Sequence, residues 1–152
     1  MRLRPPHFAA AAALVGVLAL AGCAAEPAPG PDTGRQTASP TAEPSLVPGG
    51  TAEQNKPWFD HVNQITLAQN AKASSREMVD ALVVAGFDKT AMEVTFDSTS
   101  AGYDADYIIV SVRIGEECLI GQRSGRGYHS EIVPPVASTG TCLIGETRPI
   151  DG

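Results

Sequence analysis

Few residues of this chain have the type and spacing that chemistry needs. Past the first 22 residues there are two histidines, His61 and His129. Neither stands in an HExxH pattern, and no Gly-x-Ser-x-Gly elbow presents a serine nucleophile. Asp97, Asp104 and Asp106 bracket a run of Ser, Thr, Ala, Gly and Tyr. Hard oxygens in a loop suit calcium, but the spacing departs from the EF-hand pattern and its closing glutamate is missing. A solvated turn accounts for these residues better. Gly121-Gln122-Arg123-Ser124-Gly125-Arg126-Gly127 looks like a phosphate cradle, yet it lacks the Lys-Ser/Thr ending and leads into a strand pattern. A hairpin tip explains its glycines. Arg123, Arg126 and His129 still make it the most basic spot on an acidic domain, and the expected contact for an anionic polymer or partner. No residue earns a catalytic assignment, and no metal or cofactor is expected.

The elements that must position these residues follow from periodicity. Asn55-Lys56-Pro57 reads as a helix start with Pro57 in the first turn, followed by an apolar stripe of Trp58, Val62 and Ile65. Ser74 with Glu77 is a capping box opening a second helix, whose apolar face is Met78, Val79, Leu82 and Val83 and whose terminator is Gly86. The period then changes to two. Met92, Val94 and Phe96 alternate with polar residues, and Tyr107 to Ile114 is the strongest strand. Gly115-Glu116 is a tight turn into a strand from Cys118 to Gln122. Arg123 to Gly127 reads as a loop, Tyr128 to Val133 as a strand ended by Pro134-Pro135, and Cys142 to Gly145 as a last short strand. Two helices before a run of strands imply an α+β domain, two helices packed on a small antiparallel sheet.

The N-terminus reads as an address. Arg2 and Arg4 precede an apolar run from Phe8 to Leu20, and Leu20-Ala21-Gly22 closes it with small residues before Cys23. The 13 residues of that run are too few to span a hydrocarbon core, which takes about 20. Leu20-Ala21-Gly22-Cys23 resembles the lipobox of bacterial lipoproteins. The resemblance implies a thioether-linked diacylglyceryl group on Cys23 and cleavage between Gly22 and Cys23. Anchoring through more than one acyl chain is stable.

From Ala24 to Gly50 the chain is Ala, Pro, Gly, Ser and Thr with six prolines, a composition that cannot offset the entropy of ordering. It is expected to be a disordered tether, about 25–30 Å long on average and about 80 Å as extended polyproline. Thr37, Ser39, Thr41 and Ser45 lie near prolines, where sugars are one option. The expected organisation is a signal peptide over 1–22, the lipidated cysteine and tether over 23–50, and one domain over 51–152. At 152 residues there is room for a single domain, and 11 basic against 17 acidic side chains exclude a nucleic-acid binder of the usual basic kind. Loss of the signal removes two arginines and leaves a net −8, which an anionic membrane surface repels. Attachment is left to the lipid.

With Cys23 assigned to lipid, Cys118 and Cys142 remain, each opening the tetrapeptide Cys-Leu-Ile-Gly. An even pair in an exported domain points to a disulfide, worth about 3–4 kcal/mol for a loop of this size. A two-cysteine metal site lacks histidines at ligand spacing.

The lipobox, the tether and the stretches Ala85-Gly86-Phe87-Asp88 and Tyr107 through Cys118 resemble a family of exported actinobacterial lipoproteins of unknown function. The resemblance implies the location and the cysteine pair and carries over no catalytic residue. The leading expectation is a membrane-anchored extracytoplasmic lipoprotein, a binding or accessory module whose partner is an envelope protein or polymer. The alternative is a small envelope hydrolase or sensor using Asp104 or Asp106 with His129. A secreted inhibitor is a third reading, with Arg123–Gly127 as its exposed loop.

Overall fold

The computed structural model describes residues 42–150, so the signal segment, Cys23 and the tether up to Thr41 lie outside the described residues. Helix α1 covers Ala52–Gln69 and α2 covers Ser75–Val84; strands follow at Met92–Val94 (β1), Tyr107–Ile114 (β2), Glu117–Ser124 (β3) and Gly127–Val133 (β4). The strands form one antiparallel sheet in the order β1-β2-β3-β4. Both helices pack on one face of it, as the α+β reading expects.

Local chemistry sets the helix ends. The first helix opens at Ala52 rather than at Asn55, because Thr51 and Gln54 make a capping box: the Thr51 N–H donates to Gln54 Oε1 at 2.9 Å, and the Gln54 N–H to Thr51 Oγ1 at 3.3 Å. Pro57 therefore sits inside the helix, on an exposed position. The buried stripe is also turned from the expected one. Ala52, Asn55, Phe59, Val62 and Asn63 face inward, Trp58 is half-buried and Ile65 is 45% exposed. The Trp58 indole stays at the rim, where its N–H reaches the Ala85 carbonyl at 3.0 Å. Helix α2 has the expected Ser74–Glu77 box. It ends in a Schellman motif, with Phe87 N–H bonded to Leu82 O, Gly86 N–H to Val83 O, and Gly86 at φ +96°. Val83 lies at the margin, not in the core.

The first strand stops at Val94, leaving Phe96 42% exposed. The tip between β3 and β4 is shorter than the expected 123–127 loop: pairing runs to Ser124 opposite Gly127, so only Gly125 and Arg126 turn the chain. Met92, Val94, Ile108, Val110, Val112 and Leu119 form the sheet's share of the core. Gly121 lies on the same face, two residues beyond Leu119 along β3. A Cβ there would stand 2.9 Å from Phe59 Cε1 and 3.0 Å from the Tyr128 hydroxyl, so the missing side chain is the space the Phe59 ring occupies.

The opposite face is covered by the C-terminal strap. Cys142–Gly145 is not a strand, because β3 is already hydrogen-bonded on both edges, to β2 and to β4. The segment crosses the sheet instead, and Cys142 joins Cys118 in a disulfide with Cα atoms 5.7 Å apart. The Glu93 carboxylate accepts the backbone N–H groups of Cys142 at 3.0 Å and Leu143 at 2.8 Å. Farther on, the Arg148 N–H bonds to Val94 O at 2.8 Å, blocking the open edge of β1. At the other end the folded unit takes in Leu46–Gly50, ahead of residue 51. Leu46 packs against the core, and the Asn55 side chain accepts the Val47 N–H and donates to Val47 O.

Two stability changes follow. Gly121→Ala should cost about 1–3 kcal/mol through overpacking against Phe59, read as a lower urea midpoint at unchanged slope. Replacing Cys118 by Ala and Cys142 by Ser together should cost about 3–4 kcal/mol in the same measurement, and unreduced, unfolded wild-type protein should expose neither thiol to titration.

Candidate functional site

Three segments meet at the end of the domain where the β3–β4 tip lies. The first is the α1–α2 connection. Asn70 pins it by accepting the Lys72 N–H at 3.0 Å and donating to Glu77 at 3.0 Å. Glu77 also accepts the Ser74 N–H at 2.7 Å and the Ser74 hydroxyl at 2.8 Å. The Ser74 bonds, then Asn70 and the nearby Arg123 charge, hold the Glu77 carboxyl below the usual carboxylate range. Its capping contribution is thus present at neutral pH and lost as pH falls through that lowered value.

The second segment is the 97–106 loop, which folds as a small excursion. Thr99 N–H bonds to Tyr103 O, Ala105 N–H to Asp97 O, and Ser98 pairs with Asp104. Asp97 is fully engaged at its base: it accepts the Ser75 N–H at 2.6 Å, the Ser75 hydroxyl at 2.7 Å and Arg148 Nη1 at 2.8 Å. The third segment is the hairpin tip, tied to the helix connection by Arg123 Nε donating to Ala73 O at 2.8 Å.

Between them lies an open cleft of about 430 Å³ whose charged and polar lining includes Lys72, Asp97, Asp104, Asp106 and Arg123. A second groove of about 530 Å³ runs from it between the end of α1 and the tip, lined by Leu67, Ala68, Gly127 and Tyr128. Ala71, Lys72, Arg123, Ser124 and Gly125 border both. Among the described residues, Lys72, Arg123, Asp104 and Asp106 form no ion pair, with one another or with any other side chain.

Beside the groove, α1 and β4 share a polar network. The Tyr128 hydroxyl donates to Asp60 Oδ1 at 2.9 Å and receives Asn63 Nδ2 at 3.3 Å, while Lys56 Nζ bridges Asp60 at 2.6 Å and the Ser130 hydroxyl. Asn63 is 1% exposed and its Oδ1 has no hydrogen-bond partner among the described residues. Burial, then the Asp60 charge, pushes the Tyr128 phenol far above its usual range.

The expected site residues are divided by the pleat. Tyr128 faces the helices, so its neighbour His129 points to the opposite face, and Arg126 is exposed at the turn. Arg123, Arg126 and His129 thus do not converge. Asp104 and Asp106 meet Arg123 and Lys72 across the cleft instead of His129. Among the described residues no three His, Cys, Asp or Glu side chains come together as a metal site. Lys72, Tyr128 with Asp60, Glu93 and Arg148 had no motif to mark them, since their partners are far apart in sequence.

A family match runs over residues 63–146, from the middle of α1 through the disulfide. The chain belongs to the family described as Domain of unknown function (DUF6993). Every residue of the cleft and both disulfide cysteines lie inside the matched DUF6993 region, whereas Cys23 and Arg148 lie outside it. No curated protein and no solved structure matches the chain.

Tyr128 gives this region a pH signature. Above about pH 10 an unfolded tyrosine loses its proton while the folded Tyr128 keeps it, so stability falls as pH rises past that value. In an ultraviolet alkaline titration of a Tyr103→Phe/Tyr107→Phe variant, ionisation should appear only together with unfolding. Adding Tyr128→Phe should abolish it and cost about 1–2 kcal/mol through the unpaired Asp60 oxygen.

Proposed function

We propose that this protein is a membrane-anchored extracytoplasmic lipoprotein, of the exported actinobacterial kind it resembles, acting as a binding or accessory module of the cell envelope. The diacylglyceryl group on Cys23 holds it to the membrane, the proline-rich tether gives it reach, and the folded domain presents its cleft to an envelope partner. The Cys118–Cys142 disulfide supports a location outside the reducing cytosol. No helix of the described residues is long and apolar enough to cross a membrane.

The observation that carries binding over hydrolysis is the division of the polar groups between two faces. A general base must reach the proton it takes, directly or through one water. His129 points away from the side that holds Asp104 and Asp106, so the acid–histidine pair a hydrolase would use here is not assembled.

Fractionation tests the placement. Wild-type protein should sediment with membranes, Cys23→Ser protein should appear in the soluble extracytoplasmic or culture fraction, and the mature N-terminal peptide should carry a diacylglyceryl mass on Cys23. An unmodified, intact leader in the native product would refute it.

A further inference from the structure

We infer that the cleft and its adjoining groove form one binding site for a short peptide with a free amine and a free carboxylate. The inference rests on the binding reading above and names its ligand class.

Two cations and two anions line a single cleft without pairing to one another or to any other described side chain. Opposite charges on mobile surface side chains can pair across a gap at little net gain or loss. Here the backbones that carry them are each fixed in place. Arg123 is fixed by its Nε bond to Ala73 O, the Lys72 backbone by Asn70, and the Asp104–Asp106 stretch by the Ser98 bridge and the Ala105 bond to Asp97. Asp97 itself is neutralised by Arg148 and occupied by Ser75, so it supports the wall and leaves Asp104 and Asp106 as the acids open to a ligand. A ligand bearing both signs of charge satisfies both walls at once; a simple anion or cation satisfies one and is repelled by the other.

The polarity of the ligand follows from which residues the two cavities share. Lys72 and Arg123 border both, whereas Asp104 and Asp106 border the cleft alone, and Leu67, Ala68 and Tyr128 border the groove alone. A carboxylate at the junction therefore sits between Lys72 and Arg123. The apolar side chain next to it enters the groove beside Leu67 and the Tyr128 ring, and the amino end extends toward Asp104 and Asp106. A peptide of two or three residues with an apolar C-terminal side chain has this layout.

The test is a nitrogen-proton NMR titration of the purified full-length protein with the tripeptide Ala-Ala-Leu. Saturable shifts are expected at the amides of Lys72, Ala73, Asp104, Asp106, Ser124 and Gly125. N-acetylation or C-terminal amidation of the probe should each weaken binding about tenfold, the loss expected for one charge-assisted contact. Asp104→Asn with Asp106→Asn should abolish the effect of acetylation, and Lys72→Gln should reduce the effect of amidation, with Arg123 still holding the carboxylate. None of these three side chains makes a hydrogen bond among the described residues, so the fold is kept, and unchanged spectra elsewhere verify it. Arg126→Gln, at the turn outside both cavities, should bind as wild type. No shift at those amides, equal response to the blocked peptides, or equal binding of succinate would overturn the inference. Because the shifts are read at the cleft whether or not Cys23 carries lipid, its failure is separable from a failure of the proposed location.

Discussion

The contact of Phe59 with Gly121 sets the distance between the helical layer and the sheet. Phe59 is fully buried, and its ring fills the place where any side chain on the middle of β3 would stand. Close approach of α1 at this point brings the Tyr128 hydroxyl within reach of Asp60 and Asn63 on one side. Along the same helix it brings the α1–α2 connection down onto Arg123. The groove and the cleft are the gaps left where that connection, the sheet tip and the 97–106 loop fail to close over one another. A wider layer spacing would unmake both.

A sheet with helices on one side leaves its other face to water, and a domain of this size has little chain to spare for covering it. The C-terminal strap does so with three unlike fastenings. The disulfide is covalent, the Glu93 carboxylate holds two successive backbone N–H groups, and Arg148 joins the β1 edge to the start of α2 through Val94, Asp97 and Ser75. The last of these also stiffens the acidic wall of the cleft, since Asp97 begins the loop that carries Asp104 and Asp106. Strap and cleft are mechanically one assembly.

Much of the architecture was legible along the chain. The change of period after Gly86, the Ser74–Glu77 box and the alternation from Tyr107 to Ile114 all correspond to elements in the fold. The errors have a common origin. Pro57 suggested a first turn, but Thr51 and Gln54 had the stronger claim because they satisfy two backbone N–H groups reciprocally. Trp58 and Ile65 fit a helical stripe with Val62 as well as Phe59 does; which side of Val62 is buried depends on the gap at Gly121. The repeat of Cys-Leu-Ile-Gly suggested two like strands. Its first copy lies in the sheet and its second lies across it, because a strand has only two edges and β3 had used both.

Local order in the chain was therefore enough for the class of fold, the pairing of the cysteines and the expectation of an address at the N-terminus, since each depends on neighbours in sequence, on composition or on simple parity. The cleft was not accessible that way. Lys72, Asp104, Asp106 and Arg123 come from two separate connections and a strand, and no spacing rule links them. Which charges face one another, and which are turned away like His129, is set by the packing of a helix pair on a pleated sheet, and that geometry exists only once the core has closed.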